Sequence, residues 1–492
     1  MRPHQPVANT PGANLANLTA HLPTTALRQS VAENFSKTVA ELVQLVAIPG
    51  IAWDAFDAAQ LERSSEAVAA LIRSTGLDDV QILRVAKDDG GQGGPAIVAR
   101  KAAAPGMPTV VLYAHHDVQP PGDSELWNSE PFTAVERDGR LYGRGAADDK
   151  AGIMAHVAAF RAITETLGDT FGIGVTFFIE GEEEAGSPTF ATFLETHREL
   201  LAGDVIVVAD SANWQVGVPA LTTSLRGLVD GTVEVRVTSH AVHSGMFGGP
   251  ILDAPTLMAR LISTFHDDQG SVAIKGLHHG EAAAVDYEEE AFRADAGVLD
   301  GVKLAGMGSI TSRLWTQPAL SVIGMDIPSV EMSSNTLLAS TRAKISLRLA
   351  PGQDPASAME ALEKHVVAHA PFGAQVSFTA GEAGQAFATD THAPAAQAAL
   401  WALGESWGVS AVETGMGGSI PFIADLKATY PHAQILVTGV EDPDSRAHSA
   451  NESLHLGDFE KAIVAQTLLL AAINAGALGQ PEKSGEPGEQ KA

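Results

Sequence analysis

Hydrophobic spacing along the chain changes from one period to another, and each change marks an expected element. Residues 35–48 follow a helical period, with Val39, Leu42, Val43 and Val46 on one side. A second helix is expected over 61–72. Short β-rich runs follow at 80–85, 96–100 and 109–114, the last almost continuously apolar, as in a strand buried on both faces. A helix at 151–167, with Ile153, Val157, Phe160 and Ile163 along it, precedes two more apolar strands at 174–179 and 205–209. This alternation predicts an α/β fold, a mostly parallel sheet flanked by helices.

Near Arg226 the texture shifts. Val233, Val235 and Val237 alternate with Glu234 and Arg236, and Ile345, Leu347 and Leu349 repeat the pattern, as in strands with one wet face. Helical stretches at 255–265 and 355–368 and a further strand at 375–379 complete an antiparallel α+β pattern. The α/β pattern then returns, with a helix at 394–407, a strand at 434–438 and a last helix at 458–475. The expected organisation is an irregular arm at 1–25, a discontinuous main domain of 26–225 and 390–475, an inserted α+β domain of 226–389, and a disordered tail at 476–492.

Composition narrows the possible functions. The 492 residues include 59 Asp plus Glu against 31 Lys plus Arg, a formal net charge of −28, and no cysteine. The missing cysteine excludes a disulfide framework, a thiolate zinc site, an iron–sulfur cluster and a Cys nucleophile. The acidic balance argues against nucleic acid and anionic membrane surfaces as partners. Residues 1–25 lack a secretory pattern, and no apolar run approaches the roughly 20 residues of a bilayer span, so a cytoplasmic protein is expected.

The chemistry gathers in polar segments at the ends of apolar strands, where a parallel sheet places its ligand site. In Ala114-His115-His116-Asp117-Val118, alternation puts His115 and Asp117 on one face and turns His116 away. That suits a metal-bound imidazole with a carboxylate on its second nitrogen, or equally a satisfied polar strand end. Gly143-Arg144-Gly145-Ala146-Ala147-Asp148-Asp149-Lys150 enters a helix, and alone it reads as a capping Asp pair. Glu180-Gly181-Glu182-Glu183-Glu184 follows a buried strand, where the repulsion of its carboxylates calls for a cation. Asp210 ends another apolar run, and His448 lies in Arg446-Ala447-His448-Ser449-Ala450-Asn451-Glu452. Alone, these two are a turn residue and a surface His. Together, His115, Asp148, Glu184, Asp210 and His448 supply two imidazoles and three carboxylates. With one carboxylate bridging, each of two metals receives three protein ligands and keeps positions open, a catalytic arrangement. Zn²⁺ suits these donors, as do Mn²⁺ and Co²⁺.

These segments resemble those of the co-catalytic metallopeptidases, the family that includes cytosolic nonspecific dipeptidase, carnosinase, aminoacylase and the glutamate-releasing carboxypeptidases. The resemblance covers about residues 39–475, through His-x-Asp-Val-Gln-Pro, Gly-Arg-Gly-x-x-Asp-Asp-Lys, Glu-Gly-x-Glu-Glu-x-Gly-Ser and Ala-His-Ser-x-Asn-Glu. It implies two divalent metals, with Asp148 bridging, His115 and Asp210 on one ion, and Glu184 and His448 on the other. It further implies Glu183 as general base, Asp117 as the group orienting His115, and a cis bond at Asp148–Asp149. The insert then corresponds to a lid and dimerisation domain, and a homodimer through it is expected. His243 matches a residue that in dimeric relatives reaches the neighbouring site, Arg348 one that binds the substrate carboxylate, and Ser419 a substrate-binding loop. Each of the three also reads plainly, as a turn residue, a strand-face ion-pair member and a turn. The chain departs from the family pattern at Gly415-Met416-Gly417, where many relatives carry a charged residue, and at Asn335-Thr336-Leu337-Leu338, where dipeptidases often have a Pro-containing stretch.

The implied reaction is hydrolysis of the peptide bond of dipeptides or similar short substrates with a free C-terminal carboxylate, by a metal-bridged water with Glu183 as base. The same site would serve an N-acyl amino acid amidohydrolase or a carboxypeptidase. The rival from another class, a non-catalytic acidic metal-binding protein, leaves Glu183 without a task.

Overall fold

The computed structural model describes residues 11–87, 90–418 and 421–479. The chain divides into two compact units, one of residues 1–221, 389–412 and 425–492, the other of 222–388 and 413–424.

The first unit is built on a mixed sheet. Strands Gly174–Glu180, Thr109–His115, Val205–Val208 and Gln434–Val437 lie side by side and parallel. Their buried side chains form continuous apolar runs, as both-face burial demands. Ala96–Lys101 and Val80–Leu83 extend one edge antiparallel. Helices Thr24–Val46, Lys150–Leu167, Pro394–Trp407 and Leu456–Asn474 pack together and contribute to the same core. No helix among the described residues is long and apolar enough to cross a membrane.

The N-terminal expectation is corrected. Within 1–25, a helix spans Pro11–Thr19, and the next begins at Thr24 rather than near 35. The reason is burial: Leu27 and Val31 continue the stripe of Leu42, Leu45 and Val46 into the core, and Leu15 and Leu22 pack against it. In the expected tail, residues 480–492 lie outside the described residues.

The second unit carries its own antiparallel sheet, in the order Ala319–Met325, Ser340–Leu349, Gly227–Arg236, Gln375–Gly384. One face is covered by helices Ala254–Ile262 and Pro355–Ala368 around Val233, Val235, Ile345 and Leu347. Asp253 and Asp354 cap these helices through their side chains, each with Pro in the first turn.

A histidine in the first unit gives a pH prediction. His156 is fully buried; its Nε2–H donates to the Tyr113 carbonyl at 3.0 Å, and Nδ1 has no partner. Burial lowers its pKa to about 4. Below about 6.5 the unfolded chain takes up a proton that the folded chain refuses until about 4, so stability falls as pH drops through that window. A shift of this size corresponds to about 3 kcal/mol. His156→Gln, which lacks the titration, is expected to narrow its stability gap to wild type as pH falls from 6.5 to 4, measured by urea unfolding. Parallel pH profiles would refute this.

Candidate active site

The five metal-ligand candidates and Glu183 converge at the ends of the parallel strands. Ligand atoms of His115, Glu183 and Asp210 lie within 4.8 Å of one another, and so do those of Asp148, Glu184 and His448. Asp148 faces both groups: its Oδ1 is 3.1 Å from His115 Nε2 and its Oδ2 3.1 Å from His448 Nε2. Glu184 Oε2 approaches the same His448 nitrogen at 3.2 Å.

Local structure explains each placement. His115 ends the central strand, and its N–H donates to Asp149 Oδ2 at 3.1 Å. Asp149 occupies the N-cap position of helix Lys150–Leu167 but makes no side-chain cap bond, so its carboxylate serves the strand instead. The Asp148–Asp149 peptide bond is cis. Gly145 stands at φ +82°, and a Cβ there would meet Val118 Cγ1 at 2.7 Å, so the loop before Asp148 needs glycine. His116 turns away, held between Ser64 and the Pro95 carbonyl. His448 enters from a loop with its side chain 59% exposed.

Asp117 touches more than His115. The nearest partner of His115 Nδ1 is the Asp117 carbonyl at 3.0 Å, while the carboxylate is 3.5 Å away. The carboxylate also accepts from Glu183 N at 3.1 Å and Glu184 N at 3.0 Å. It therefore fixes the backbone that presents both glutamates. Sequence reading missed three further groups. Gln119 donates to both oxygens of Glu184, at 3.1 and 2.7 Å, Trp53 Nε1 donates to the Glu184 carbonyl, and Glu452 binds the Asp148 loop. Gln119 and Glu452 already stood inside recognised motifs, which was the available signal.

The electrostatics suit cations. His115 Nε2 lies 3.1 Å from Asp148 Oδ1, a contact held by a proton on a charged imidazole or, when the ring is neutral with Nδ1–H on the Asp117 carbonyl, by a cation bound to both atoms. Burial pushes Glu183 up to about 9, with Asp210, Glu180 and Asp117 adding and His115 opposing. Burial also lifts Asp210 to about 6. Hydrogen bonds to Asp148 and Glu184 raise His448 to about 11. Imidazole and carboxylate donors without thiolate fit two borderline or hard divalent ions, and a preformed cluster of this kind suits them.

His243 and Arg348 belong to the second unit by position. His243 caps a short helix, its Nδ1 accepting from Gly245 N at 3.1 Å, which leaves Nε2–H directed elsewhere. Arg348 lies on the half-open face of strand Ser340–Leu349. Ser419 lies outside the described residues.

Two adjoining clusters of nitrogen and oxygen ligands, four of the six carboxylates, at the C-terminal edge of a parallel sheet, are the equipment of a metal-dependent hydrolase. Comparison with known proteins agrees. Residues 111–472 match the Peptidase family M20/M25/M40. A cysteinylglycine-S-conjugate dipeptidase of Corynebacterium striatum is 34% identical over 83% of this chain and 89% of its own length. The β-Ala-His dipeptidase of Mus musculus is 28% identical over 74% of this chain and 77% of its own. The M20 family metallo-carboxypeptidase Sso-CP2 from Sulfolobus solfataricus shares the fold, with a TM-score of 0.72 and 21% identity, covering 89% of this chain and 99% of that one. The chain belongs to peptidase family M20/M25/M40 and is a hydrolase, a metallopeptidase.

Proposed function

We propose that this peptidase hydrolyses dipeptides or similarly short peptides with a free C-terminal carboxylate. The observation that carries this reading is Glu183, a carboxylate within 4.8 Å of the ligand atoms of His115 and Asp210, with its backbone anchored by Asp117. The names of the relatives support the substrate class. In this reading His115, Asp148 and Asp210 hold one divalent ion, and Asp148, Glu184 and His448 the other. When bound, the pair, zinc first and manganese or cobalt otherwise, supplies Lewis acidity and an activated water.

The protein's own groups do the rest. Glu183 accepts the proton of the attacking water and returns it to the departing amine. Asp117 keeps Glu183 and Glu184 in register by binding both their N–H groups. His243 donates Nε2–H to the developing oxyanion. Arg348 and Ser419 bind the free carboxylate, the guanidinium through two parallel hydrogen bonds. The second unit serves as lid and dimerisation domain, and the protein works as a cytoplasmic homodimer. The exposed edge strand Ala319–Met325, with Val322 and Ile323 and the neighbouring Ile327, Val330 and Met332 in solvent, supports the dimer. A monomer by analytical ultracentrifugation would count against it.

The substrate assignment is tested with cysteinylglycine, β-alanylhistidine, other dipeptides and N-acyl amino acids, each assayed with Zn²⁺, Mn²⁺ and Co²⁺. Dipeptides are expected to turn over fastest; preference for N-acyl amino acids would make the chain an aminoacylase. Arg348→Met is expected to lower kcat/KM for dipeptides by about 10- to 100-fold and to spare dipeptide amides, which lack the carboxylate. Equal losses on both would remove Arg348 from carboxylate binding.

A further inference from the structure

Arg144 and Glu452 form a buried ion pair at 2.6 Å, their side chains 1% and 0% exposed, and the chemistry above does not use it. Burying two charges is costly unless their remaining hydrogen-bonding capacity is filled. Here it is filled in a particular way, save for Arg144 Nε, which has no partner among the described residues. Glu452 Oε2 accepts from Arg144 Nη1 at 2.6 Å and Gly145 N at 3.0 Å. Oε1 accepts from Ala147 N at 3.0 Å and Asp148 N at 3.1 Å. Gly143 N donates to the Glu452 carbonyl at 3.0 Å. The loop that presents Asp148 is thus wrapped around one carboxylate.

The same pair reaches the other side of the site. Arg144 Nη2 donates to the Ser449 carbonyl at 3.3 Å, one residue beyond His448, and to the Pro120 carbonyl at 3.4 Å. His448 stands at φ +61°, between Arg446 at +55° and Asn451 at +63°. Non-glycine residues hold that conformation only where their surroundings over-determine it. His115 needs no such brace, since it lies in the sheet and is bonded to Asp149 and Asp117. His448 comes from a loop, so its distance to Asp148 depends on whatever joins the two segments.

We propose that Glu452, acting through Arg144, is a positioning residue that sets the separation of Asp148 and His448. It thereby sets the affinity of the metal position that uses His448 more strongly than that of the position that uses His115 and Asp210, which shares Asp148 but not the His448 loop. This rests on the ligand assignment proposed above. Glu452→Gln keeps the shape but turns an amide NH₂ toward either the Arg144 side or the Ala147 and Asp148 N–H groups, donor against donor.

The test titrates the full chain, stripped of metal, with Co²⁺ by calorimetry and visible absorption, with circular dichroism as a control of folding. Wild type is expected to take up two Co²⁺. Glu452→Gln is expected to bind one about 10- to 100-fold more weakly and the other with a clearly smaller loss, since the two positions share Asp148. Arg144→Lys, which keeps the charge but loses the fork to Ser449 and Pro120, is expected to weaken the same position. Equal weakening of both positions, no weakening of either, or loss of fold in both variants would overturn the proposal and leave an ordinary structural ion pair. A wild type that binds fewer than two Co²⁺ would instead defeat the ligand assignment on which it rests.

Discussion

Glu183→Gln is expected to lower turnover by about 10²- to 10⁴-fold while the protein still binds two metal ions. The substitution keeps the size of the side chain and removes its ability to carry a proton. Burial and neighbouring carboxylates push Glu183 up to about 9, so the protein's own groups favour its protonated form. Bound cations pull in the opposite direction, and the balance brings the group toward the working range of a general base. Glu183 also lies as close to His115 and Asp210 as a ligand would, within 4.8 Å. Metal content therefore separates the two roles. Loss of one ion from the variant would make Glu183 a ligand, and a rate equal to wild type would remove it from the reaction.

Removal of metal by a chelator is expected to abolish hydrolysis and lower the thermal midpoint by several degrees, with both restored by Zn²⁺, Mn²⁺ or Co²⁺. The activity loss follows from the absence of any Cys nucleophile in the chain and from the need of Glu183, a weak base toward free water, for a water whose pKa a metal has lowered. The stability loss follows from linkage, because an ion that binds the folded chain alone stabilises it in proportion to the logarithm of its saturation. It is reinforced locally, since Asp148, Glu183, Glu184 and Asp210 then face one another with only His115 and His448 to offset them. The ligands bind metal deprotonated, so the concentration of free metal needed for recovery should rise as pH falls. Full activity in the stripped protein, verified by elemental analysis, would refute the metal-dependent mechanism.

Much of this protein is legible in its sequence. The continuous apolar runs at 109–114, 174–179 and 205–209 place the parallel strands because burial on both faces leaves no room for polar alternation. The helices Pro355–Ala368 and Pro394–Trp407 begin where Pro marks the first turn. The polar segments that interrupt the strands supply every donor of the candidate site, because residue type restricts which atoms can ligate. The start of the helix at Thr24 was less legible, since Leu27 and Val31 are spaced among polar residues and only their packing shows which face is buried.

Tertiary structure alone decided which donors meet. Asp148 and His448 stand 3.1 Å apart across a long stretch of intervening chain, and no local period encodes that distance. It alone also turned the Asp117 carboxylate toward Glu183 and Glu184, gave Asp149 to the strand instead of the helix cap, and closed Glu452 around the Asp148 loop. The physical reason is common to all of them. Hydrophobic spacing reports how each segment meets the core, whereas a buried carboxylate takes whichever N–H groups packing brings within about 3 Å of it, wherever they lie in the sequence.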